Sequence, residues 1–198
     1  MRIAKLYPLV APIIALALAS TACQTAQHAT ALLPAAQALM DEVLSPSPTM
    51  LEGDEGVLAA EQKLTKNAKK VALMTLGTAA QKYMMALAEQ QEVLLGVADI
   101  IMDTYAMESA ILRTYKLINA SGEEAAARNV DMTRVFCNDA MERIEVNAKN
   151  TLAAMAEGDE LRTLLAALRR FTKLTPMNTV AARQRIAKVL IEANKWAY

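Results

Sequence analysis

The stretch "EQQEVLLGVADIIMDTYAMESAILRTYKLI" (Glu89–Ile118) sets Asp99, Asp103, Tyr105, Glu108 and Arg113 inside a run of Ile, Leu, Val, Met and Ala. Two carboxylates held close together can share acid–base work, one protonated and one ionised. On a helix that advances 100° per residue, Asp99 and Asp103 fall within about 20° of Glu92, and Gly96 completes the row. Such a row is expected to be a solvated polar seam, set opposite a lysine stripe (Lys63, Lys66, Lys70) on the preceding helix. Nothing around it suggests a substrate pocket.

Glu108 differs. It falls about 160° from Glu92, between Ile101, Ile111 and Leu112, in the apolar arc. A carboxylate placed there must find a partner or stay protonated, because an unpaired buried charge costs roughly several kcal/mol. Arg134 is the mirror case, about 40° from Val130 on the next helix and close to that helix's apolar stripe. A structural ion pair between Glu108 and Arg134 is therefore expected, with Arg113 or Arg143 as the fallback. Cys137 lies in the same stripe, with no His nearby to activate it, and should be a small apolar filler. Tyr83 and Tyr105 are expected in the core with hydroxyls at an edge, and Gly77 where two helices approach closely. One His (His28) and two Cys offer no CxxC, HExxH or paired-His spacing, so no metal site and no catalytic residue is assigned.

The elements that carry these residues can be read from composition and period. Apolar residues make up 54% of 198, aromatics only 4%, and unbranched helix formers dominate. Lys plus Arg equals Asp plus Glu, so no basic field attracts nucleic acid, and nucleic acid is excluded as a partner. The chain should be all-α, an antiparallel up-and-down bundle of about four to five main helices, each stable only through its packed apolar face. A helix with Pro34 is expected over Ala29–Leu44, then a Pro-, Gly- and acid-rich linker over residues 45–56. Long helices should come next, over Val57–Leu87 and from the Glu89 stretch to the stop "NASG". A third should run from Glu123 to Ala156, with Val130, Cys137, Met141, Ile144, Ala148, Leu152 and Met155 on one stripe. "EGDE" (157–160) should turn the chain into Leu161–Leu174. Asn178 should cap a last helix over Thr179–Lys195.

Residues 1–28 form an apolar leader distinct from the domain at 29–198. Arg2 and Lys5 precede seventeen uncharged residues, Leu6–Ala22, and then Cys23. The pattern resembles a secretory signal, or a bacterial lipoprotein signal in which Cys23 would accept the lipid, although Ser20 stands where such signals carry Leu. Pro8 and Pro12 interrupt the segment, which is short for a membrane span.

A family resemblance emerges along "KYMMALAEQQEVLLGVADIIMDTYAMESAILRTYKLI". With "LLPAAQALMDEVLS" (32–45), "NAKKVAL" (67–73) and "LRRFTKLTPMNTVAARQRIA" (168–187), it resembles the C-terminal helical extension of very-long-chain-type acyl-CoA dehydrogenases, shared by bacterial relatives. The resemblance runs over about residues 29–198. Members of that family desaturate acyl-CoA thioesters of fatty-acid β-oxidation. A glutamate base removes the α proton and FAD takes the β hydride. The resemblance places that base and the FAD and thioester sites in a body that would precede residue 29, so Glu108 is not the family's base and no cofactor is expected within this sequence.

Two accounts fit these features. In one, the chain is a truncated or split family member, non-catalytic alone, cytoplasmic or peripheral at a membrane surface. It would dock on a separate dehydrogenase body or self-associate. In the other, the module is exported behind residues 1–23 and serves as an envelope-anchored helical scaffold.

Overall fold

The computed structural model describes residue 32, residues 34–39, residue 41 and residues 56–195. The leader with Cys23 and His28, and most of the linker, lie outside the described residues. Among the described residues there is no strand, and the chain is an all-α bundle. Residues 34–39 are helical, and Ala36 and Leu39 are buried against the bundle. Helix α1 is Ala59–Tyr83, and a 3-10 helix, Met84–Glu89, comes after it. Helices α2 (Gln91–Ser121), α3 (Ala127–Met155), α4 (Gly158–Phe171) and α5 (Thr179–Ala193) complete the order.

Helices α1, α2 and α3 form the centre. The longest shared seam joins α2 and α3, and each also packs on α1. Ile100, Met107, Met141, Ile144 and Leu152 are fully buried between them. The α3 stripe expected from the sequence is in the core throughout, from Val130 to Met155. Helix α4 lies over α1 and α3 and buries Leu164, Ala167, Leu168 and Phe171, while α5 rests on α3.

The element ends show where local chemistry governed. Gly122 closes α2 with φ +87°, its N–H donating to the Ile118 carbonyl at 2.9 Å, as a C-terminal glycine should. Asn178 caps α5, its side-chain oxygen accepting from the Ala181 N–H at 2.9 Å. Three boundaries differ from expectation. Helix α1 stops at Tyr83, not Leu87, because the chain reverses at Met84 with φ +46°. No Gly or Pro marks that turn. The α2–α3 connection extends to Ala126, so α3 starts four residues after Glu123. "EGDE" is mostly helix: α4 begins at Gly158, and Asp159 and Glu160 occupy its first turn, where carboxylates favour the helix dipole.

Candidate functional site

The polar residues that stood out in the sequence mostly sit on seams between helices, and the seams decide their partners. The α2–α3 seam is antiparallel. Gly96 lies so close to Thr151 that a Cβ on the glycine would collide with the threonine hydroxyl. One step along, Asp103 of α2 takes two hydrogen bonds from Arg143 of α3, from Nη2 at 2.6 Å and Nε at 3.1 Å. Further on, the buried hydroxyls of Thr114 and Thr133 meet at 2.7 Å. The Gly96–Asp103 row is therefore no solvated face turned to the lysine stripe; it borders α3. The Asp103 hydrogen bond raises the Arg143 pKa above its ordinary value, fixing the guanidinium as a cation.

Glu108 and Arg134 do not pair. Glu108 lies on the flank of α2 that faces α1 and accepts from Lys69 Nζ at 2.6 Å. Arg134 donates from Nη2 to the Val57 carbonyl at 2.7 Å, and its Nε lies 3.8 Å from Glu61. The physical reason is axial as well as angular. Thr133 faces Thr114 across the seam, which puts Arg134 more than a turn of α2 beyond Glu108. Both charges turn toward α1 at different heights. Both side chains are half-buried on the flanks of their helices and not in the core, where Glu61 is the buried charge among the described residues. Helical periodicity gave their angles but carried no information on which neighbour stands at which level.

Cys137 is fully buried, and burial, with Glu61 nearby, pushes its thiol pKa up to about 12. A thiol held protonated in this way is a core filler without nucleophilic character. Gly77 marks a close approach, since a Cβ there would meet that of Ala36. Tyr83 is half-buried, with the Lys82 ammonium 5.5 Å from its ring. Tyr105 is not a core residue: it is 57% exposed on the outer side of α2.

The residues that sequence reasoning missed are the α3–α5 clamps. Arg183 donates to both carboxylate oxygens of Asp139 at 2.7 and 2.8 Å. Arg185 does the same to Asp131, also at 2.7 and 2.8 Å. The Arg185 hydrogen bonds hold the Asp131 carboxyl below its usual pKa. The only available signal was paired opposite charge on two distant helices, and such pairing has no fixed spacing.

Two adjoining clefts open beside α1. One, of about 260 Å³, is lined by Ala36, Gly77, Thr163 and Leu164, among others. The other, of about 490 Å³, adds Lys82, Met155 and Glu157, and both include Thr78, Gln81 and Glu160. Lys82 donates to the Met155 carbonyl at the end of α3, so its charge is already directed. Neither cleft has a His or Cys in its lining. The lining of the larger one does not suit the pyrophosphate of a flavin dinucleotide: it carries two carboxylates, Glu157 and Glu160, and its one cation, Lys82, is the group engaged by Met155. Among the described residues, no buried side-chain nitrogen or oxygen lacks a hydrogen-bond partner. No group of three or more His, Cys, Asp or Glu could hold a metal ion, and no helix is long and apolar enough to cross a membrane, again among the described residues.

Comparison with known proteins fits this arrangement of packed helices. The family described as "Acyl-CoA dehydrogenase, C-terminal domain" matches residues 67–170, just over half of the chain and the greater part of α1–α4. A "Probable acyl-CoA dehydrogenase" of Bacillus subtilis (strain 168) is 46% identical over 165 residues, covering 83% of this chain and 27% of its own length. The crystal structure of an acyl-CoA dehydrogenase complexed with FAD from Bacillus anthracis superposes with a TM-score of 0.79 at 42% identity, over 84% of this chain and 28% of that one. The chain thus spans about a quarter of the length of these relatives. By the match of its central helices, the chain belongs to the acyl-CoA dehydrogenase C-terminal domain family.

Proposed function

We propose that this bundle is a non-catalytic accessory domain that docks on the flavin- and acyl-CoA-binding body of an acyl-CoA dehydrogenase. The observation that carries the reading is coverage. More than four-fifths of the chain aligns with about a quarter of enzymes titled acyl-CoA dehydrogenase, one of them determined with FAD. The seams support it. Asp103 and Glu108 are engaged in pairing, and the one described cysteine is held protonated. The side chains act as scaffold: they orient helices and leave the reacting groups to the body.

Co-expression tests this. The chain is produced together with the remaining, flavin-binding part of the Bacillus subtilis relative. Purified alone, the chain is expected to show no flavin absorbance and no acyl-CoA oxidation. Purified together, the two should co-elute, and the complex should carry flavin and activity. Flavin bound by the chain alone, or a body that ignores it, would reject the reading.

A further inference from the structure

Among the described residues, five of the eight large exposed apolar side chains lie between Met84 and Tyr105, and three of them share one face of α2. Leu95 is 62% exposed, Met102 59% and Tyr105 57%. Ala98, Ser109 and Leu112 complete the row; Ser109 is exposed and the other two are half-buried. The positions 95, 98, 102, 105, 109 and 112 alternate steps of three and four. That is the seam of a coiled coil, in which side chains at this spacing interlock with a facing helix. No Asp, Glu, Lys or Arg interrupts the row. The substantial contacts of α2 are with α1, α3 and the 3-10 helix, while α4 and α5 lie on other sides of the bundle. A contiguous exposed apolar stripe on a folded domain marks a contact surface.

We propose that the occupant is a second copy of this chain, packed α2 against α2 in antiparallel orientation about a twofold axis between Met102 and Tyr105. Among antiparallel registers, this one matches the side chains along the stripe by size. Leu95 meets Leu112 of the second copy, Ala98 meets Ser109, and Met102 meets Tyr105. Large faces large, small faces small, and every layer obeys the same axis, as an isologous interface requires. The charges at the two ends agree. Glu89 and Glu92 are exposed at the start of the stripe, Arg113 and Lys116 at its end. Antiparallel packing sets each acidic end against a basic one, and parallel packing would set like against like. The stripe is about 26 Å long at 1.5 Å per residue. A single helix pair of that length belongs to the small, reversible class of interfaces. The inference goes beyond the docking reading and does not depend on it.

Sedimentation equilibrium of the full chain, from about 5 to about 500 µM, spans the range over which an interface this small dissociates. A monomer–dimer equilibrium is expected. Met102→Glu should weaken it at least about tenfold, since it buries a charge at the centre of the interface. At concentrations low enough for both to be monomeric, its circular dichroism and thermal midpoint should match the wild type, because Met102 faces outward. Orientation is read by oxidation in a Cys23→Ser background. Ala98→Cys combined with Ser109→Cys should cross-link two chains, and Ala98→Cys alone should not, since only facing positions bring Cα atoms within disulfide reach, about 7 Å. A monomer at every concentration overturns the proposal, as does cross-linking by the single variant. It is equally overturned if the chain stays monomeric and Met102→Glu abolishes binding to phosphatidylcholine vesicles or to the dehydrogenase body.

Discussion

Helix α3 carries a neighbour on each of two sides and holds them by different means. Toward α2 it presents Ile144, Ala148 and Leu152, fully buried, with Thr133, Arg143 and Thr151 set among them as spacers and clamps. Toward α5 it presents Asp131 and Asp139, and α5 answers with Arg183, Arg185 and a single buried residue, Ala182. The first seam removes apolar surface from water, which is favourable in roughly any salt and pH. The second orders long, solvated side chains into ion pairs, which contribute little when exposed and weaken as salt screens them. One helix therefore belongs at once to the most and the least firmly held parts of the molecule.

The sharpest way to break this contrast is a cavity in the central seam. Ile144→Ala should cost about 2–5 kcal/mol, the range for truncating a buried aliphatic residue that its neighbours cannot collapse onto. The urea midpoint should fall with the slope unchanged. An equal truncation on α5, Ile191→Ala, removes a side chain that is 77% exposed and should leave the midpoint within experimental scatter.

A smaller effect tests the closeness of the seam. Gly96→Ala adds a methyl group where the Thr151 hydroxyl already stands, and should destabilise by about 1–3 kcal/mol as overpacking does, despite the better helix propensity of alanine. Adding Thr151→Ala should recover most of the loss. A Gly96→Ala protein more stable than wild type would mean that α2 and α3 do not approach this closely.

These residues also show what the sequence could convey. The apolar arcs were legible because burial repeats with the helical period: the α3 stripe from Val130 to Met155 is in the core to a residue. Asn178 and Gly122 were legible because caps and stops act within a few residues of chain. The partners of Glu108 and Arg134 were not. A helical wheel gives an angle on one helix, while an ion pair also depends on the neighbour's identity and height, and Lys69 belonged to a helix whose stagger no local rule fixes. Tyr105 failed differently. The periodic pattern assumed that every apolar face is covered within the chain, and the outer stripe of α2 is not. Met84 turns the chain with φ +46° and without the Gly or Asn that ordinarily announces such a turn.

The Lys69–Glu108 pair stands between the two extremes, with side chains 18% and 33% exposed. Lys69→Met should preserve packing through its stem while depriving the carboxylate of its donor. A cost of about 1 kcal/mol is expected, reduced from the fully buried case because water reaches Glu108. Glu108→Gln in the same background should return part of it. If Lys69→Met is neutral and the second change adds nothing, the pair is incidental to the α1–α2 seam.

The smallest effect, and the most local, lies at α5. Hydrogen exchange of the α5 amides should accelerate roughly fivefold in Asp131→Asn, a loss in the range of an exposed ion pair, while the amides of α2 and α3 keep their protection. Acid should do the same to the wild type, and the sign is set by Asp131. Its folded pKa lies below the usual 3.8, so its contribution is present above that value and is lost as pH falls through the depressed one. The window is therefore below about pH 4, with α5 opening ahead of the central seam. Molar salt at neutral pH should imitate acid, since both weaken the same charges and neither weakens the burial of Ile144. An α5 that keeps its protection through both treatments would have to be held by apolar contact, and the contrast between the two sides of α3 would disappear.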